Sequence, residues 1–167
     1  MDNTIRYEAL EFLHVLAGQP MCYALKSPDT ELYEFGFGEL TERENRKGKR
    51  KKIGTYTLHI LCRFKVIWRN DGQRVDEYYE DTSCQQFHSD IKYLLGSKVR
   101  QIALSDKNDL WLDFGDHWIV FATFENREES WRFFSSNINL PHLVVSNSWL
   151  YFAGGSKETV KRDKGTA

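Results

Sequence analysis

The chain has 167 residues, 41% of them hydrophobic and 14% aromatic, with a formal net charge of −1. This composition excludes a disordered chain, and the near-neutral balance gives no global field for nucleic acid or a membrane surface. No apolar run reaches the roughly 18 residues that span a bilayer. The three cysteines, Cys22, Cys62 and Cys84, are odd in number, with no close pair and no apolar leader, and point to a reduced cytoplasmic setting.

In chain order, the spacing of Ile5, Ala9, Phe12 or Leu13, and Leu16 predicts a helix over 4–17, stopped by Gly18 and Pro20. Short strands are expected at 21–25 and 32–37, joined by the turn Ser27-Pro28-Asp29-Thr30. From Tyr56 to Trp68 every second residue is apolar, which predicts one long strand with a core face and a polar face. Leu61 and Ile67 are exceptions on the polar face, and the length of the run calls for a bulge or bend near 61–64. Asn70-Asp71-Gly72 signals a hairpin turn, with a return strand over 74–79. Ser83 and Gln86 have capping-box spacing and open a helix over 84–95 that Gly96 ends. Strands are predicted at 98–104, 109–115, 117–125, 129–135, 142–146 and 149–152, and residues 154–167 read as a disordered tail.

Residues 24–36 and 103–115 read alike at a constant offset of 79, each preceded by a helical run into a glycine. The fold class expected is α+β: an antiparallel sheet from two helix-plus-three-strand repeats, about 4–80 and 83–150. The helices are expected on the sheet or at its ends, within a single domain over 1–153.

The halves differ between Phe37 and Tyr56. There Arg43, Arg46, Lys47, Lys49, Arg50, Lys51 and Lys52 face only Glu42 and Glu44, a local net of +5. Such a run is expected to be an exposed, mobile arm able to bind an anion, a nucleic acid or an acidic protein. The return strand carries Asp76, Glu77, Glu80 and Asp81, an acidic surface suited to a basic partner. The histidines never reach metal-ligand spacing, so no metal is expected. His59 and His117 occupy equivalent strands and could share a site, and Cys84 and His88 lie one helical turn apart. No nucleophile elbow, phosphate loop or dinucleotide fingerprint occurs, so neither an enzyme nor a cofactor is expected.

Segments in a fixed order carry a resemblance: Glu34-Phe35-Gly36; Tyr56-Thr57-Leu58-His59-Ile60-Leu61-Cys62-Arg63; Asp109 to Phe114; Glu129-Ser130-Trp131-Arg132-Phe133-Phe134; and His142-Leu143-Val144-Val145. The order resembles a family of small uncharacterised bacterial proteins with Leu-His-x-x-Cys and Glu-x-Trp-Arg-x-Phe strands. The basic insert is not part of that pattern, and the resemblance brings no activity with it. In size and type such proteins are similar to immunity proteins that neutralise toxins. The function expected is therefore a non-enzymatic protein-binding module, plausible as an immunity-type inhibitor, with nucleic-acid binding through 43–52 as the alternative.

Overall fold

A computed structural model describes residues 3–44, 47–71, 74–124 and 129–154, and the backbone of 162–164. Among the described residues there are two α-helices, α1 (Thr4–Leu13) and α2 (Cys84–Ile91), with a 3₁₀ turn over His14–Leu16 after the first. The strands are β1 (Met21–Lys26), β2 (Tyr33–Phe37), β3 (Thr41–Glu44), β4 (Arg50–Ile53), β5 (Tyr56–Ile60), β6 (Phe64–Trp68) and β7 (Val75–Tyr78). After α2 come β8 (Gln101–Leu104), β9 (Leu110–Asp113), β10 (His117–Phe121), β11 (Trp131–Ser135), β12 (His142–Ser146), β13 (Trp149–Ala153) and β14 (Arg162–Lys164). The expected tail over 154–167 lies outside the described residues apart from Gly154 and the backbone of β14.

All pairings are antiparallel. A seven-stranded sheet runs β1-β2-β5-β11-β12-β13-β14 and a five-stranded sheet β7-β6-β10-β9-β8, with β3-β4 a separate ribbon. The two large sheets pack face to face. Phe35 of β2 meets Phe64 of β6 and Phe121 of β10 at 5.4 Å each, and Tyr33 meets Phe64 edge-on at 4.9 Å. Edge-on ring contacts of this kind add about 0.5–1.5 kcal/mol each beyond area burial. The helices plug the flanks of the sandwich. Phe87 of α2 enters between Tyr33, Phe35, Phe64 and Tyr78. Phe12 of α1 closes on Phe133 and Phe152.

This corrects the expected α+β arrangement, one antiparallel sheet from two helix-plus-three-strand repeats. The protein is β-rich, about 44% strand and 15% helix. The strands of each supposed unit also part company. The chain leaves the seven-stranded sheet after β5 and continues as β6 in the other sheet; after β10 it makes the reverse move into β11. The two corners are tied to each other's sheet, with Leu61 N–H donating to the Ser130 carbonyl at 2.8 Å and Ala122 N–H to that of Arg63 at 3.0 Å. The long strand expected over 56–68 is thus two strands, broken where the bend was expected. Its alternation survives the break because the core lies between the sheets. Leu58, Ile60, Cys62, Phe64 and Val66 all point inward, whichever sheet holds them.

The turn before β9 carries the main buried polar hub. Asn108 is fully buried with φ of 66°. Its side-chain oxygen accepts from Arg6 of α1, its amide donates to the Ser148 carbonyl at 2.9 Å, and its own carbonyl accepts from the Trp131 indole at 3.0 Å. One residue therefore joins α1, the turn before β9, the turn between β12 and β13, and β11.

Candidate functional site

Three surfaces have the chemistry of a site. The first is the outward face of the five-stranded sheet. Strand alternation puts two ranks there, set by the pairing register: Val75, Ile67, Trp118, Asp113, Gln101 and, beside it, Glu77, Lys65, Val120, Trp111, Ala103. Trp111 and Trp118 meet edge-on at 5.9 Å and are both partly exposed. The Arg69 guanidinium lies 4.9 Å from the Trp118 ring and pairs with the buried Asp113 carboxylate at 3.1 Å. At the other end Arg63 stacks on Tyr79 and Phe124, at 5.0 and 5.5 Å, and pairs with Glu80 at 3.5 Å. An outward sheet face is ordinarily polar. Here it combines tryptophan, branched apolar side chains and stacked arginine, the composition of protein–protein interface centres.

The second surface is the outward face of the seven-stranded sheet. Glu34 of β2 and His59 of β5 are direct cross-strand partners, and His59 is in turn opposite Arg132 of β11. Glu34 is 5% exposed. Its carboxylate accepts from the Tyr23 hydroxyl, lies 3.3 Å from Lys51 Nζ and 3.6 Å from His59 Nε2. Burial opposes the charged carboxylate, but the hydrogen bonds of His59 and Tyr23 and the Lys51 charge outweigh it and hold its pKa at about 2. Tyr23 titrates above its usual range, through burial and the Glu34 contact. The Tyr23 ring fills the space above Gly36, where a Cβ would sit 2.0 Å from Cε1. Arg132 grips Glu129 through two 2.9 Å hydrogen bonds and reaches His142 Nδ1 at 3.1 Å. Burial and the Arg132 charge push the His142 pKa down. The Phe134 ring separates the two imidazoles, edge-on to His59 and stacked on His142.

The third is a cleft between α2 and β7, lined by Val66, Trp68, Arg74, Asp76, Tyr78, Asp90, Tyr93 and Leu94. Asp76 accepts from the Trp68 indole at 3.0 Å and from Arg74 at 3.1 and 2.9 Å. Asp90 accepts from the Tyr78 hydroxyl at 3.1 Å and from the Gln86 amide at 2.9 and 3.0 Å.

The residues singled out from sequence are dispersed among these surfaces. The basic insert is an ordered ribbon rather than a loose loop, and its pairing divides the charge. Glu42 faces Lys52 and Glu44 faces Arg50 on one side, while Arg43 and Lys51 share the other. Lys51 reaches Glu34, Arg43 donates to the Ser136 carbonyl, and Arg50 approaches Glu42 at 3.8 Å. Lys47 and Lys49 lie at the exposed tip, and Arg46 lies outside the described residues. The acidic strand also splits, with Asp76 in the cleft, Glu77 on the tryptophan face, and Glu80 and Asp81 in the turn that follows.

His59 and His117 do not meet. His117 points into the core of the other sheet, stacked on Phe114 at 4.8 Å, with Nδ1 2.6 Å from Asp116. Burial lowers its pKa, so the ring is neutral at pH 7. Cys84 and His88 both turn to the edge strand β1. Cys84 Sγ donates to the Lys26 carbonyl at 3.5 Å, and the Lys26 N–H donates to His88 Nε2 at 3.2 Å. They satisfy an exposed sheet edge rather than form a catalytic pair.

Sequence reasoning missed Trp111, Trp118, Asp90 and Asn108. A signal for the tryptophan face existed: Ile67, an apolar exception on a polar face, is the direct neighbour of Trp118. No protein-family model, curated protein or solved structure matches the chain. Among the described residues no group of three or more His, Cys, Asp or Glu side chains could hold a metal, and no helix is long and apolar enough to cross a membrane.

Proposed function

We propose that the chain is a non-enzymatic protein-binding module, of the type of an immunity protein that neutralises a bacterial toxin in the cytoplasm, and that it binds through the outward face of the five-stranded sheet. The observation that carries this reading is the Trp111–Trp118 pair with Arg69 stacked on it, on a face where solvated side chains are the rule. Arg69 is matched there by Asp113 and Arg63 by Glu80, while Lys65 lies cross-strand from Glu77. Asp116, its side chain 60% exposed and bonded to the His117 ring, adds a negative charge at the rim, which favours a partner with a basic surface.

Affinity capture from native lysate at low salt tests the proposal with three baits: wild type, Trp111→Asp/Trp118→Asp, and Val75→Glu, whose side chain is already 46% exposed. One protein partner retained by wild type and lost with both variants is expected. A partner retained equally by all three baits, or none, overturns it. The Val75 variant disturbs no buried packing, so its result stands if the tryptophan variant folds poorly.

The rival, nucleic-acid binding through 43–52, is disfavoured by the division of charge on the ribbon. We expect no affinity for single- or double-stranded nucleic acid that falls with salt. Binding that weakens about 1000-fold from 50 to 200 mM salt, as several phosphate contacts require, and that is lost on deleting 43–52, would reverse this order.

A further inference from the structure

Trp68 and Tyr78 present aromatic surface to the cleft between α2 and β7, and Tyr93, 74% exposed, stands at its mouth. Two carboxylates line the same space. Asp76 is matched by a cation, Arg74, which grips it through two hydrogen bonds while its guanidinium lies 5.6 Å from the Trp68 ring. Asp90 is held by neutral donors, the Tyr78 hydroxyl and the Gln86 amide, with no ion pair among the described residues. Lys92, two residues after Asp90, lies over the Tyr93 ring at 5.4 Å.

We infer that this cleft receives an arginine side chain from the protein partner, its guanidinium on Asp90 and flat against the Tyr93 ring. The inference rests on the protein-binding reading above. Three observations converge on a guanidinium. The walls are flat rings, on which a planar cation stacks better than a compact, strongly hydrated ammonium. A carboxylate in a partly dry cleft lacks a counter-charge. The protein's own Arg74 already shows, one carboxylate away, the kind of arrangement a second guanidinium would adopt, a carboxylate in front and an aromatic face beneath. The cleft and the tryptophan face lie on opposite sides of the edge strand β7, with Asp76 and Tyr78 pointing to one and Val75 and Glu77 to the other. A single partner grasping that edge would meet both.

The Trp68 indole N–H, inside the cleft and bonded to Asp76, is a built-in reporter. Titration of ¹⁵N-labelled protein with Nα-acetyl-arginine methylamide should move its resonance saturably, with a dissociation constant on the order of 1 mM. The corresponding lysine amide should bind about tenfold more weakly. Asp90→Asn, which preserves shape, should weaken the arginine probe about tenfold while leaving the Trp111 and Trp118 indole signals in place. No saturable shift, or equal affinity in Asp90→Asn, overturns the inference. Free L-arginine binding at least tenfold tighter than the capped amide would make this a small-molecule site and remove the partner as its source. The titration needs no partner, so it fails or succeeds independently of the capture experiment.

Discussion

Asn108→Ala is expected to cost about 3–5 kcal/mol of stability. The substitution removes the donor to the Ser148 carbonyl in a fully buried place and one acceptor of Arg6, which keeps the Ser105 carbonyl at 2.6 Å. Each buried polar group left unmatched costs about 1–3 kcal/mol. Alanine must also hold φ at 66°, a left-handed conformation that asparagine tolerates better, which adds about 1 kcal/mol. For a chain of this size the melting temperature should fall by about 10 °C or more. Asn108→Gly relieves the backbone but not the lost hydrogen bonds, so it should lie between alanine and wild type. Urea denaturation of the three proteins checks the order. An alanine variant within about 1 kcal/mol of wild type would mean that water replaces the amide and that the hub is not a structural joint.

Glu34→Gln should lower stability at neutral pH by about 2 kcal/mol, and the loss should depend on pH in one direction. The folded carboxylate has a pKa of about 2 against an ordinary 4.5. A depressed folded pKa contributes stability that is present in full above the unfolded value and disappears as pH falls through the folded one. The gap between wild type and variant should therefore be constant above about pH 5 and close between pH 4.5 and 2. The full shift would correspond to roughly 3 kcal/mol at 1.36 kcal/mol per unit. The lower figure allows for solvent screening at Lys51, whose side chain is half exposed. Stability curves in urea at a series of pH values supply the test. A gap that stays open at pH 2 would show that shape or hydrogen bonding, not charge, makes Glu34 important.

Much of the fold can be read locally. The strand expected at 142–146 coincides with β12, and Ser83 caps α2 by accepting the Gln86 N–H at 3.0 Å. Both depend on side chains a few residues apart, which the sequence displays. Sheet membership depends on partners far along the chain, and alternation is blind to it. Residues 56–68 keep one inward face through a change of sheet, so their length announces a bend near 61–64 but their alternation does not show that the chain changes sheet there. The α+β expectation failed on this point, because neighbouring strands were assumed to stay neighbours.

The site divides the same way. The basic and acidic runs were visible as compositions, yet pairing of β3 with β4 spread the first over two faces of a ribbon, with Glu42 and Glu44 on one and Arg43 and Lys51 on the other. Strand alternation sent Asp76 and Glu77 to opposite faces. Asn108 carries no local signal of its role, because its partners, Arg6 and Ser148, are remote in sequence. The tryptophan face was hidden because each of its strands offers only one or two apolar outward residues, and the patch exists only once four strands are laid side by side.

The exchange of strands between the sheets also governs the order in which the molecule can be made. While the chain is being synthesised, β5 and β6 are complete long before β11 and β10, the strands that will flank them, have left the ribosome. Until then each of them has a bare hydrogen-bonding edge and an uncovered row of Leu58, Ile60, Phe64 and Val66. Neither half can close early and wait, and contacts between residues so distant in sequence form slowly. The nascent chain thus passes through a period of adhesive edges. Heterologous production at reduced temperature and slower translation should raise the soluble fraction more than any substitution on the finished surface.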